Sequence, residues 1–223
     1  MPPTATLEDI KAYQEQVEKN KIIPDSLPPC PICKVESIFF KLHAYRDRRF
    51  LIIAEMIIEA VFSSLVRFKC PGCNKTFTWY PDFAIPHKHY TRQSAAGFAK
   101  AYVQPADMIY KRAAMVDRSA PVYPKSEGSG KSLAPSTVHR WVGALGGLIK
   151  TAQKALDLIL QKNPATSICR DLAMLSVSPK KYRSKTRQEI LLNCSRLILI
   201  EEIFQSEFGC SIFTNLARGC AFT

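Results

Sequence analysis

The sequence predicts an α+β protein. A small zinc ribbon of short antiparallel strands comes first, then a mainly helical helix-turn-helix domain, then C-terminal helices. Three observations carry this expectation. Two Cys-Pro-x-Cys units lie inside runs rich in aromatic and β-branched residues, an amphipathic segment opens on Pro135, and Pro, Gly and Ser cluster between the periodic stretches. Four zones follow: 1–28, an N-terminal helix and a linker; 29–90, the ribbon; 91–163, the helix-turn-helix-like domain; and 164–223, a basic segment and further helices. Residues 6–20 are polar with helical spacing and predict the first helix. IIPDSLPP then reads as a linker.

The second zone holds the strongest motif. Cys30 and Cys33 sit in PPCPICKVES, and Cys70 and Cys73 in RFKCPGCNKTF. Two cysteines separated by two residues wrap a tight turn that brings both sulfurs to one ion, and two such turns supply the four thiolates of a structural zinc site. Free structural thiols or a redox pair are the alternatives. The redox reading fits less well, because neither pair opens a helix after a buried strand. The flanking runs read as strands leaving each turn. The segment between the pairs is long for a compact site. IIAEMIIEAVFSSL suits either a long hairpin or one short helix, so any departure from a plain ribbon is expected between residues 50 and 65. His43, His87 and His89 are nearby but not needed as ligands. Lys88 and His89 in PHKHY are candidate phosphate contacts.

The third zone predicts helices over 91–103 and from Pro105 onward, with Met108, Ile109, Ala113 and Met115 or Val116 available for the core. The loop 119–131 is expected to be mobile. In SLAPSTVHRWVGALGGLI, Pro135 suits a first helical turn, and Ser132 or Ser136 can cap it. Val138, Trp141, Val142 and Leu145 recur at core spacing. Ser136, Thr137, His139 and Arg140 then fall on the other face, where a recognition helix carries base-reading side chains, with Lys131 just before it. An ordinary amphipathic core helix is the alternative, and the long 119–131 loop departs from the usual short turn.

Charge points the same way. Lys and Arg number 31 against 19 Asp and Glu, a formal net charge of +12, and the isoelectric point is near 9.4. Such an excess favours a polyanionic partner. Lys180, Lys181, Arg183, Lys185 and Arg187 form a dense basic run suited to phosphate contacts or to a solvated linker. The helix expected after it, over 186–204, carries Ile190, Leu191, Cys194, Leu197, Ile198 and Phe204 on roughly one face, for the chain's own core or for a homodimer. Cys169, Cys194, Cys210 and Cys220 read as buried apolar residues or spare thiols. The aromatics Phe39, Phe40, Phe77, Trp79 and Tyr80 suit a ribbon core better than base stacking.

No stretch is long and apolar enough to span a bilayer, and no signal peptide is visible. The expected setting is therefore intracellular, in the cytoplasm with the nucleoid, where thiols stay reduced and paired CxxC units bind metal.

The order CPxC, strands, FKCPGCNKTFTWYPDFAIPHKHYT, helices and PSTVHRWV resembles the zinc-ribbon plus helix-turn-helix region of bacterial insertion-element transposases. It resembles still more closely the small transposon-associated DNA-binding proteins that carry this region. Phe77, the Pro81-Asp82-Phe83 triplet and Pro86-x-Lys88 carry the resemblance, which spans about residues 29–150. It implies zinc binding by Cys30, Cys33, Cys70 and Cys73 and DNA contact by the helix around Ser136 to Arg140. Such transposases continue into a catalytic domain with three separated carboxylates. Here the downstream acids are Asp157, Asp171, Glu189, Glu201, Glu202 and Glu207, in a segment too short for that fold. The expectation is a non-enzymatic accessory or regulatory factor of a mobile element, with one zinc ion and double-stranded DNA as partner, and a second copy or a transposition protein as a further partner. The alternatives are a truncated transposase or nuclease subunit acting with a partner, and a zinc-dependent protein-interaction module.

Overall fold

The computed structural model describes residues 7–22, 24, 29–30, 32–116, 118–124, 130–164, 170–175, 177, 181–209 and 211–215. Its strands are β1 (Lys41–Ala54), β2 (Ile57–Lys69) and β3 (Thr76–Thr78), in sheet order β1-β2-β3. β3 runs antiparallel to β2, with Arg67 opposite Thr78, Phe68 opposite Phe77 and Lys69 opposite Thr76. The helices are α1 (Leu7–Glu18), α2 (Arg92–Val103), α3 (Tyr110–Ala113), α4 (Pro135–Gly146), α5 (Ile149–Lys162), α6 (Lys185–Phe208) and α7 (Ile212–Asn215). The chain divides into two compact units. One includes Ala5–Ile52 and Ala60–Arg92; the other includes Ile53–Glu59 and Gln93–Ile212.

The first unit is the sheet with α1. Ile10, Tyr13 and Val17, spaced three and four apart, are the buried stripe of α1. The Tyr13 hydroxyl donates to the Ser64 carbonyl at 3.1 Å. Gln14 Oε1 accepts from Ser63 Oγ at 2.7 Å and from the Ser64 N–H at 3.1 Å. The core below holds Phe40, Phe50, Ile52, Leu65, Phe68, Phe77 and Phe83, together with Cys30 and Cys70. Phe40 stacks on Phe77 at 5.0 Å, and Phe83 meets Tyr13 and Phe50 edge-on at 5.7 and 5.1 Å.

The segment between the cysteine pairs is the hairpin, not a helix, and it begins well before residue 50, at Lys41. Only Glu55 and Met56 connect β1 to β2, with φ of 45° and 67°. Two left-handed residues in a two-residue loop make a type I′ turn, which matches the strand twist but suits Asn-Gly far better. Replacing Glu55 and Met56 by Asn and Gly is expected to stabilise the protein by about 1–2 kcal/mol, read as a higher urea midpoint at unchanged slope. The Met56 carbonyl that accepts from the Val122 N–H at 2.9 Å survives that change.

In the helical unit, α4 and α5 both pack on α6. Val138, Trp141, Val142 and Leu145 of α4, Ala152, Ala155, Leu156 and Ile159 of α5, and Leu191, Cys194, Leu197, Ile200 and Phe204 of α6 are buried. The apolar face of α6 thus serves the unit's own core. Burial pushes the Cys194 thiol up to about 12, as suits an apolar filler. Cys169, Cys210 and Cys220 lie outside the described residues. Ser184 caps α6 through its hydroxyl, and Gly209, at φ 68°, ends it.

The helix expected from Pro105 is only the four residues of α3. Ala113 is buried, but Ile109 is 58% exposed and Met115 37%, so the segment covers too little apolar surface to hold further turns. The legs of the 119–131 loop are pinned. Val122 bridges Ser132 and, on its other side, Ile57, while the Tyr123 N–H donates to the Lys131 carbonyl at 2.9 Å. Residues 125–129 lie outside the described residues.

Candidate metal centre and basic surface

The sulfurs of Cys30, Cys33, Cys70 and Cys73 all lie within 4.8 Å of one another. Cys30 Sγ is 3.5 Å from Cys73 Sγ, and Cys33 Sγ is 3.4 Å from Cys70 Sγ. The two turns that present them are built alike. The Cys30 N–H donates to Val35 O at 2.8 Å and the Lys34 N–H to Cys30 O at 2.9 Å; the Cys70 N–H donates to Lys75 O at 2.9 Å and the Asn74 N–H to Cys70 O at 3.0 Å. Lys34 and Asn74, each just after the second cysteine of its pair, take the left-handed conformation with φ of 62° and 58°. The polar residue after each CPxC therefore closes the turn.

Packing distinguishes the two turns. Cys30 and Cys70 are fully buried in the aromatic core, whereas Cys33 is exposed. Gly72 stands where Ile32 stands in the other turn. A Cβ there would lie 2.9 Å from Val35 Cγ2 and 3.0 Å from Cys33 Sγ, so the second turn has no room for a side chain.

The electrostatics suit a cation. Burial opposes ionisation of Cys30, but the N–H groups of Cys33 and Ile32 and the neighbouring thiols outweigh it and bring the thiol down to about 7. A backbone hydrogen bond at Val35 favours ionisation of Cys33, yet local desolvation and the thiols of Cys70, Cys30 and Cys73 push it up to about 12. Cys73 is also raised: burial and the thiols of Cys30 and Cys70 outweigh a backbone hydrogen bond at Lys75. One thiolate forms readily and crowds the next, which is the state a bound cation relieves. The four cysteines can hold one metal ion, and no histidine belongs to the group.

The nucleic-acid candidates fall in several places. Lys88 and His89 are exposed on a loop of the sheet unit. Arg48 ties that loop down: its guanidinium donates to the carbonyls of Ile85 and Lys88, and the ring nitrogen Nδ1 of His89 is 3.3 Å from Arg49 O. In the helical unit, Ser136, His139 and Arg140 are exposed on α4, with Lys131 exposed before it. Thr137 is a correction. It is 9% exposed and lies on the inward face, because it precedes buried Trp141 by one helical turn. Nor does Ser132 or Ser136 cap α4: the N-cap is Ala134, with no side-chain hydrogen bond, and Pro135 follows it. Lys181, Arg183 and Lys185 are exposed at the start of α6; Lys180 lies outside the described residues.

Residues 30–118 match the model of a domain of unknown function (DUF6431). No curated protein and no solved structure matches the chain. The matched stretch opens on the first metal-ligating candidate, includes the other three and the whole hairpin, and stops before α4.

Four acids of the C-terminal zone have structural partners. Glu201 accepts from the Ile212 N–H at 2.9 Å and from Gln205 at 3.0 Å, Glu202 pairs with Lys100, Glu207 with Lys162, and Asp171 accepts from the Ala173 N–H at 2.8 Å. Sequence reasoning missed Tyr110. Its ring stacks on Tyr102 at 3.7 Å, and His139 meets it at 5.2 Å. Arg187, seen in sequence only as one cation of a run, donates to the Tyr110 hydroxyl and, at 3.4 Å, to the His139 carbonyl.

Among the described residues, no helix is long and apolar enough to cross a membrane.

Proposed function

We propose that this chain is a zinc-stabilised DNA-binding protein that serves a mobile genetic element as an accessory or regulatory factor. The observation that carries the reading is the first two turns of α4. They expose Ser136, His139 and Arg140, have no acidic residue and no side-chain cap, and belong to a chain of net charge +12. The positive end of a helix dipole with no acid beside it, and a cation in the next turn, attract phosphate. The metal supports rather than reacts. Four zinc–thiolate bonds of about 2.3 Å place sulfurs roughly 3.8 Å apart, near the separations present, and a four-thiolate site leaves no open position for catalysis. The ion would hold the two turns and the sheet between them. The mobile-element assignment rests on the resemblance of the ribbon and PSTVHRWV to transposon proteins.

Fluorescence anisotropy with duplex DNA across a salt series tests the reading. Five or so phosphate contacts are expected to lower affinity by about a hundred- to a thousandfold between 50 and 200 mM salt. Transposon-end duplex should bind more tightly than a scrambled duplex of equal length. Absence of salt-sensitive binding to every duplex would sink the proposal.

A second reading, a zinc-dependent protein-interaction module, is favoured by one observation. Ile32, Ile38, Phe39 and Leu42, around and after the first cysteine turn, are all more than half exposed.

A further inference from the structure

We infer that Arg187, held by Tyr110 against the first turns of α4, is a phosphate-binding residue for the duplex DNA backbone. This deepens the DNA-binding reading and rests on it. Arg187 differs from its neighbours in the basic run. Lys181, Arg183 and Lys185 are exposed, whereas Arg187 is half-buried, and a Cβ on Gly143 would lie 3.6 Å from its Nη1. Its partners are neutral: the Tyr110 hydroxyl and the His139 carbonyl. Its Nε is buried with no hydrogen-bond partner, and among the described residues no carboxylate pairs with it.

A partly desolvated guanidinium without a counter-ion is costly. The fold nevertheless fixes it firmly. Ser184 caps the helix through the Arg187 N–H at 3.4 Å, Gln188 Oε1 accepts from the Tyr182 N–H, and the Tyr110 ring is braced by Tyr102. Three basic segments meet at this point: α3 with Lys111 and Arg112, α4 with Arg140, and the start of α6 with Lys185. Arg112 is partly engaged by Asp107 at 3.8 Å. Partial desolvation and, after it, the Arg187 charge push the His139 imidazole below its ordinary range. Both Nη2 bonds go to protein oxygens and Nε is enclosed, so the N–H groups of Nη1 are what an anion meets on a fixed cation, and the phosphodiester is the anion that duplex DNA repeats along its length.

The test uses the full zinc-loaded chain, a fluorescent random-sequence duplex and a salt series. Arg187→Gln is expected to make the slope of log affinity against log salt less negative by about one, equally on unrelated sequences. Arg187→Lys should keep the slope with weaker binding. Tyr110→Phe, which keeps the charge but frees the guanidinium, should weaken binding severalfold with the slope unchanged, as expected of a positioning residue. A folded Arg187→Gln protein with the parental slope and affinity overturns the inference. Should Arg187→Gln fail to fold, Tyr110→Phe decides: unaltered binding overturns it. Absence of duplex binding by the parent protein overturns the DNA reading itself, a separate outcome.

Discussion

Removing the zinc ion proposed for the four-cysteine site with a strong chelator is expected to unfold the sheet unit while the helical signal of α4, α5 and α6 persists. A structural zinc site contributes roughly 10 kcal/mol or more, comparable with the whole stability of an ordinary domain. Cys30 and Cys70 are at the centre of the aromatic core, so the loss is not confined to the rim. Freed of the ion, four thiolates within 4.8 Å must reprotonate or separate, and the two turns lose the tie that sets Phe40 on Phe77. Cys30→Ser and Cys70→Ser should behave like the stripped protein. Metal analysis should return one zinc per chain, and the near-ultraviolet circular dichroism of the stacked aromatics should collapse in step with its release. A metal-free protein with an unchanged melting curve would show that the four cysteines do not stabilise the fold. Low pH should act in the same direction, because protons compete for the thiolates.

Gly146→Ala is expected to cost about 3 kcal/mol, the upper range of overpacking, and to lower the melting temperature by roughly 6–12 °C in a protein of this size. A Cβ on Gly146 would lie 2.4 Å from the Ile190 carbonyl oxygen and 2.8 Å from Ile190 Cγ2. The obstacle is backbone of α6, which cannot swing aside, so α4 and α6 would have to part along the buried row of Val142 and Leu145. Gly97→Ala is the control. It lies inside α2 with nothing within 4 Å of its would-be Cβ, and it should stabilise by about 0.5–1 kcal/mol through chain entropy alone. Thermal melts of the two variants should move in opposite directions; equal shifts would contradict the packing described.

The four-cysteine cluster is legible in the sequence because its chemistry is local. CPxC writes a turn, two turns write four donors, and the polar Lys34 and Asn74 mark where each chain reverses. Between them the sequence allows either a hairpin or a helix, because Glu55 and Met56 lack any turn signature. Only the strand pairing, a non-local interaction, forces them into left-handed geometry. Proline at the start of α4 fixed that helix's beginning correctly. Thr137 faces inward because it stands one helical turn before Trp141, a spacing that outweighs the outward preference of a hydroxyl residue. The helix expected from Pro105 failed for a tertiary reason: its apolar side chains found too little core to cover. Arg187 and Tyr110 could not have been paired from sequence, since nothing local joins α3 to the start of α6.

The hairpin tip sets an order of events. Residues 53–59 belong to the helical unit, while the strands on either side of them belong to the sheet unit. On the ribosome, Met56 emerges long before Val122, the residue whose N–H its carbonyl accepts. A nascent chain that has already closed both cysteine turns still holds an unsatisfied tip, waiting for sequence beyond the end of the matched domain. Fragments cut at residue 118, however well they load metal, should therefore carry an open loop that the whole chain covers, and expression of the matched domain alone should yield the less soluble product.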